Sequence, residues 1–105
     1  MGEKQGRLEV SIMVKICVTE REKELLINST KYASSTFDYR IEDCTVVIEN
    51  NIIQTLEGLI EECISNYFLA EGLQDNDEPN ALGLEIEKLQ DKFIRELQRY
   101  NIENI

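Results

Sequence analysis

From Leu8 to Val18 the chain alternates without a break. Leu8, Val10, Ile12, Val14, Ile16 and Val18 are apolar, and Glu9, Ser11, Met13, Lys15 and Cys17 stand between them. Successive side chains of a β-strand point to opposite faces, so this eleven-residue pattern dictates a strand with one buried face. The second face is only half polar, which predicts partial cover for Met13 and Cys17. Such a strand cannot stand alone, and the rest of the chain must supply the layer that covers it.

Two amphipathic segments suit that task. Ile52, Ile53, Leu56, Leu59, Ile60, Cys63, Ile64, Tyr67 and Phe68 fall on one wide face at 3.6-residue spacing. Asn50 or Asn51 is the expected N-cap of this helix, and Gly72 its stop. The opposite side carries Glu57, Gly58, Glu61, Glu62 and Ser65. A last helix is expected from about Leu84 to Tyr100, with Ile86, Leu89, Phe93, Leu97 and Tyr100 repeating at spacings of three and four. Charge laces its surface: Glu85 lies near Lys88, Asp91 four before Arg95, and Glu96 three before Arg99.

Between the first strand and the middle helix the pattern is more varied. Thr19-Glu20-Arg21-Glu22 reads as a capping box, and the acids suit the positive end of a helix dipole. It predicts a helix over 20–33, with a strand through Leu25-Leu26-Ile27 as the competing reading. Phe37, Tyr39 and Ile41 alternate, then Cys44, Val46 and Ile48 alternate in the opposite parity. A parity switch at Glu42-Asp43 requires a bulge or a tight turn. Gln74 to Asn80 is a loop, with Pro79 and Asn80 preparing the next helix.

These elements predict an α+β fold: a small antiparallel sheet of two or three strands packed by two C-terminal helices, in the order β-α-β-α-α. At 105 residues the chain reads as one globular domain over 7–105, preceded by a flexible N-terminus over 1–6. Cys17, Cys44 and Cys63 are odd in number and widely spaced, which argues against a disulfide framework. All three sit in apolar runs and read as small buried hydrophobes in a reducing compartment. No run approaches the roughly 20 apolar residues of a membrane span. The N-terminus lacks the basic start and apolar stretch of a secretory signal, and Gly6 stands where a myristoylation motif wants Ser or Thr. A cytoplasmic location is the resulting expectation.

Charge is the feature with functional reach. From Ile41 to Glu87 the chain carries twelve carboxylates and no Lys, Arg or His; the whole is −10, so the remainder is +2. Nucleic acid and anionic membrane are poor partners for such a chain, because both demand clustered Lys and Arg. No cofactor is expected. Gly58, Gly72 and Gly83 are isolated and form no phosphate loop, and catalysis through Ser34, Ser35 or Thr36 lacks a neighbouring base. Histidine is absent and no CxxC pair occurs, which leaves little for zinc. Asn76 to Glu87 can be laid onto a calcium loop, but Ala81 replaces the glycine of the sharp turn.

The expected function is a small acidic binding protein that neutralises a basic protein partner. Its concrete form is an immunity or inhibitor protein occluding a nuclease toxin, with carboxylates standing in for phosphates. Glu57, Glu61, Glu62, Asp75, Asp77 and Glu78 are the candidate partner-binding residues. They form one negative surface if the middle helix and its following loop are contiguous. Tyr32, Phe37 and Tyr39 are candidate aromatic anchors or satellite core residues. The alternative is a self-associating accessory protein of a bacterial or mobile-element system, a homodimer formed through the last helix at Phe93 and Leu97 or through an exposed edge of the first strand. A hydrolase or metal enzyme is the least favoured class.

Overall fold

The computed structural model of the chain describes residues 13–103. The expected flexible N-terminus over 1–6 and the first half of the expected strand, Leu8–Ile12, lie outside the described residues. The order is β1 (Val14–Cys17), α1 (Glu20–Ser29) with a 3-10 turn at Thr30–Tyr32, β2 (Arg40–Glu42), β3 (Thr45–Ile48), a long helix α2 over 52–71, and α3 (Ala81–Glu103). The fold is α+β, with a three-stranded antiparallel sheet and two long C-terminal helices, as expected.

The sheet order is β1-β3-β2, with Val14 opposite Ile48 and Arg40 opposite Val47. The parity switch is a two-residue turn, because Glu42 pairs with Thr45 across Asp43 and Cys44. Asp43 adopts φ 59°, a left-handed conformation that Asp tolerates better than most residues. β3 is central, and Val46, Val47 and Ile48 are all buried. Val46 and Ile48 face the core, whereas Val47 faces outward between Lys15 of β1 and Arg40 of β2. The outer face is therefore a charged layer in which Arg40 bridges Glu42 and Glu49.

The capping box forms as the sequence predicts. Thr19 N donates to Glu22 Oε1 at 2.9 Å, and Glu22 N donates to Thr19 Oγ1 at 3.0 Å. The helix it starts ends at Ser29, four residues short of the expected end, and tightens into the 3-10 turn. The buried Ser29 hydroxyl turns back to Leu26 O at 2.7 Å, the local bond by which Ser competes with helix continuation. The strand reading of Leu25–Ile27 is excluded; Leu25 and Leu26 are buried on the helix.

α2 is continuous through three segments: Ile52–Gly58, a π-helical Leu59–Ile64, and Ser65–Glu71. In the middle segment Ser65 N reaches back five residues to Ile60 O. This departs from the uniform 3.6-residue spacing read from the sequence. The helix start also differs. Asn51 is the capping residue, but at φ 50° it makes no side-chain cap bond; Thr55 N bonds its carbonyl instead. Gly72 ends the helix, with its N–H on Phe68 O.

The core lies between the sheet and the helices, with Phe93, Leu89 and Ile86 of α3 wholly buried against Leu56, Leu59 and Ile64 of α2. Phe93 is thus a core residue and Leu97 packs half-buried on the core, so the last-helix dimer seam expected at these two positions is not an exposed surface. α3 begins three residues before its expected start, because Asn80 caps it: Asn80 Oδ1 accepts from Gly83 N at 2.7 Å. The glycines that looked isolated meet here. A Cβ on Gly72 would lie 2.9 Å from Gly83 Cα, and one on Gly83 would run into the Gly72 carbonyl. The two helix ends touch backbone to backbone, which only glycine permits.

The cysteines depart from expectation. Cys63 is buried, Cys44 is half-buried and Cys17 is exposed on β1. Parity explains Cys17, which points to the outer face with Lys15; an apolar run does not guarantee burial when the strand covers one face only. No helix among the described residues is long and apolar enough to cross a membrane.

Candidate functional site

The structure divides the acidic block by what each carboxylate touches. Arg40 holds Glu49 at 3.0 Å and also pairs with Glu42. Arg21 grips Glu85 with two bonds of 2.9 and 3.0 Å, so Glu85 is paired with α1 and not with Lys88 on its own helix. These guanidinium bonds hold the Glu49 and Glu85 carboxyls below the usual range. Glu71 accepts the Tyr32 hydroxyl at 2.6 Å, which pushes the phenol up. Tyr32 also stacks on Tyr67, with centroids 5.4 Å apart, and clasps the 3-10 turn to the end of α2.

Eight acids of the block remain: Asp43 beside Glu20, Glu87 on α3, and the six the sequence singled out. Glu57, Glu61, Asp75, Asp77 and Glu78 are exposed, and Glu62 is half-exposed. None of their side chains makes a hydrogen bond or ion pair among the described residues. They fall into two groups. Glu57, Glu61 and Glu62 lie on the solvent side of α2, with Glu57 and Glu61 one turn apart. Asp75, Asp77 and Glu78 occupy the loop that follows. Nine residues of helix, about 14 Å at 1.5 Å per residue, separate Glu62 from the end of α2 at Glu71.

The loop is shaped by its own bonds. Gln74 N donates to Glu78 O at 2.7 Å and Asp77 N to Gln74 O at 2.9 Å. Leu73 and Pro79 form an antiparallel bridge, and Asn76 Oδ1 accepts from Glu78 N. Asp77 sits at φ 67° at the tip. The three acids are thereby displayed outward on a closed turn.

Between the two groups stands a residue the sequence reading passed over. Leu69 is 65% exposed. It follows Glu61 and Glu62 by two helical turns, which returns it to their side of α2. The signal was available: Leu69 is apolar yet out of step with the stripe that ends at Tyr67 and Phe68. A large exposed apolar residue flanked by charge is the usual make-up of a protein contact, an apolar anchor with a polar surround.

The aromatic candidates are satellite core residues. Tyr32, Phe37 and Tyr39 are half-buried and pack on the core. Phe37 lies over Gly58 of α2 and separates two open hollows of about 360 Å³ each. Tyr39 and the buried Cys63 line the first; burial pushes the tyrosine up and the thiol to about 11.

One grouping among the described residues has metal-ligand spacing: Glu20, Asp43 and Cys44, with ligand atoms within 4.8 Å of one another. Distance in sequence hid it. Cys44 Sγ donates to Glu20 Oε2, which holds the carboxyl low and pushes the thiol up. The Lys23 ammonium lies 3.5 Å from Glu20 and donates to Asp43 O at 3.1 Å. It supplies the positive charge that a metal would bring.

Compared with protein-family models, curated proteins and solved structures, the chain matches none.

Proposed function

We propose that the chain is a small, non-catalytic acidic binding protein that captures a basic protein partner. The observation that carries the reading is the division of the acids. Within the acidic block, Asp43 and Glu87 apart, Glu42, Glu49, Glu71 and Glu85 have a structural partner, whereas Glu57, Glu61, Glu62, Asp75, Asp77 and Glu78 have none among the described residues and lie to either side of the exposed Leu69. Held on a helix and a closed turn, they lose little conformational entropy when a cationic surface arrives.

The concrete form is an inhibitor or immunity protein seated on the basic cleft of a nucleic-acid-binding toxin. There the carboxylates take the place of phosphates and accelerate association at low salt. Leu69 supplies the apolar contact that carboxylates alone lack. Capture from lysate at low salt, release at moderate salt, and loss of capture on reversing Glu61, Glu62 and Asp77 to Lys are the expected results. A specific partner that docks on the Lys88–Arg99 surface, indifferent to salt, would refute the reading.

A further inference from the structure

Two contacts fix how α2 and α3 run beside each other. Gln90 Nε2 donates to Ser65 Oγ at 2.7 Å, and the backbones of Gly72 and Gly83 touch. Seven residues separate Ser65 from Gly72 and Gly83 from Gln90, almost two whole turns, so both contacts lie on one seam between antiparallel helices. Counted at about 100° per residue from that seam, Leu69 stands about 40° and Leu84 about 100° to one side. Phe68 and Ile86 stand about 60° to the other side, and both go to the core. Offsets of one sign turn to one side in an antiparallel pair, so Leu69 and Leu84 share the outer face of the two helices.

The two leucines are also nearly level. Matching Ser65 to Gln90 and Gly72 to Gly83 puts Leu69 opposite Ile86, two residues or about 3 Å along the axis from Leu84. The glycine contact brings the helices together with no side chain between them, so little separates the leucines across the seam. Leu69 is 65% exposed and Leu84 54%. Acids stand on both walls. Glu62 lies two turns before Leu69 on its side of α2, and Glu87 and Asp91 lie about 40° and 80° from the seam on the leucine side of α3. None of these three carboxylates makes a hydrogen bond or ion pair among the described residues. Lys88, the one cation between Leu84 and Asp91, is turned about 140° from the seam.

We propose, resting on the reading of the chain as a binder of basic proteins, that this face receives a helix of the partner. An apolar side chain of that helix sits between Leu69 and Leu84, and Lys or Arg one turn to either side meets Glu62, Glu87 and Asp91. Charge selects the occupant. Acids on both walls beside two leucines complement a basic amphipathic helix and repel a second copy of this −10 chain. Geometry selects its form. α2 and α3 use most of their backbone N–H and C=O groups within themselves, so the face offers an extended strand nothing to pair with, whereas a helix satisfies its own backbone. A third helix laid along the seam packs at the usual interaxial distance of about 8–10 Å from each of the two beneath it.

The test uses a fluorescent helical peptide of about 20 residues, with leucines one turn apart and lysines flanking them, and a scrambled form that keeps the charge and loses the apolar stripe. Fluorescence anisotropy with the full chain at low salt is expected to show the helical peptide bound about tenfold more tightly than the scrambled one. Leu69→Ser combined with Leu84→Ser is expected to remove that advantage with circular dichroism unchanged, since both side chains are exposed. Ile27→Ser, an exposed apolar position on α1, is expected to leave it intact. Glu87→Lys combined with Asp91→Lys, which breaks no contact of the fold, is expected to weaken the helical peptide about tenfold. Equal affinity for the two peptides, or a preference that both double variants retain, overturns the helix-binding face and leaves the binder of basic proteins standing. Failure of either peptide to bind at low salt overturns both.

Discussion

The ring of Phe37 rests on the bare Cα of Gly58, so closely that a Cβ there would stand 2.6 Å from Cζ and 2.7 Å from Cδ1. A glycine inside a helix costs roughly 1 kcal/mol relative to alanine, and at this position the ring occupies the space an alanine methyl would need. With Tyr39, which also packs on the core, this ring docks the loop before β2 onto α2.

Gly58→Ala is expected to lower stability by about 1–3 kcal/mol through overpacking, despite its better helix propensity. The same change in a Phe37→Ala background is expected to be neutral or stabilising. Urea unfolding of the four-member cycle measures the coupling, and additive effects would contradict the contact.

Gly83→Ala meets backbone where Gly58→Ala meets a side chain that can swing away. The loss is expected to exceed that of Gly58→Ala, at or beyond the upper end of about 1–3 kcal/mol for overpacking. The urea midpoints of the two variants, compared directly, check the order.

Acid pH should unfold the protein through its paired carboxylates. Burial pushes the Glu22 carboxyl up, but the hydrogen bonds from Lys92, at 2.7 Å, and from Thr19 N outweigh it and hold it low. A carboxyl lowered in the folded state contributes stability that is present above its unfolded value and lost as pH falls through the folded one. Glu22, Glu49 and Glu85 all have this sign. The urea midpoint is therefore expected to fall as pH drops below about 4.5. Glu22→Gln should lower stability at neutral pH and flatten that decline.

The unpaired acids should behave oppositely. Glu57 and Glu61 are like charges one helical turn apart, an arrangement that destabilises by roughly 0.2–0.5 kcal/mol. Glu61→Lys is expected to raise stability by a few tenths of a kcal/mol or more, while weakening capture of a basic partner. Thermal melts beside salt-dependent binding test whether stability and binding separate at this residue.

The thiols should react in order of exposure. Cys17 is exposed; Cys44 donates to Glu20, which disfavours its thiolate; Cys63 is buried with its thiol pushed to about 11. The thiolate is the nucleophile. Maleimide labelling of the native protein at neutral pH, read by mass, is expected to modify Cys17 first, Cys44 more slowly, and Cys63 only after denaturation.

Periodicity carried most of the fold into view. Alternation located β1 and β3, the parity change located the hairpin turn, and the capping box at Thr19 located the start of α1. The π-helical segment was not legible, because it depends on how α2 meets several neighbours at once and leaves no local mark. The Gly72–Gly83 meeting was equally hidden, since each glycine acquires its reason only from the other. The six candidate acids were legible as exposed positions. Their separation from Glu42, Glu49 and Glu85 was only half so: Arg21 and Glu85 are 64 residues apart, and no spacing rule pairs them.

The widened turn at Leu59–Ile64 carries one residue more than a regular turn of helix would hold. Each residue of a regular helix advances the direction of the next by about 100°. Deleting one residue inside the widened turn would return it to regular winding and leave the residues beyond it facing almost as before. Deleting one from the regular turn that follows, Ser65 or Asn66, would swivel everything beyond it by that amount. Tyr67 would then leave the core and its stack with Tyr32, and Leu69 would turn away from the side it shares with Glu61 and Glu62. The loss of a single codon is thus absorbed at one place on α2 and redraws both surface and core a few residues further on.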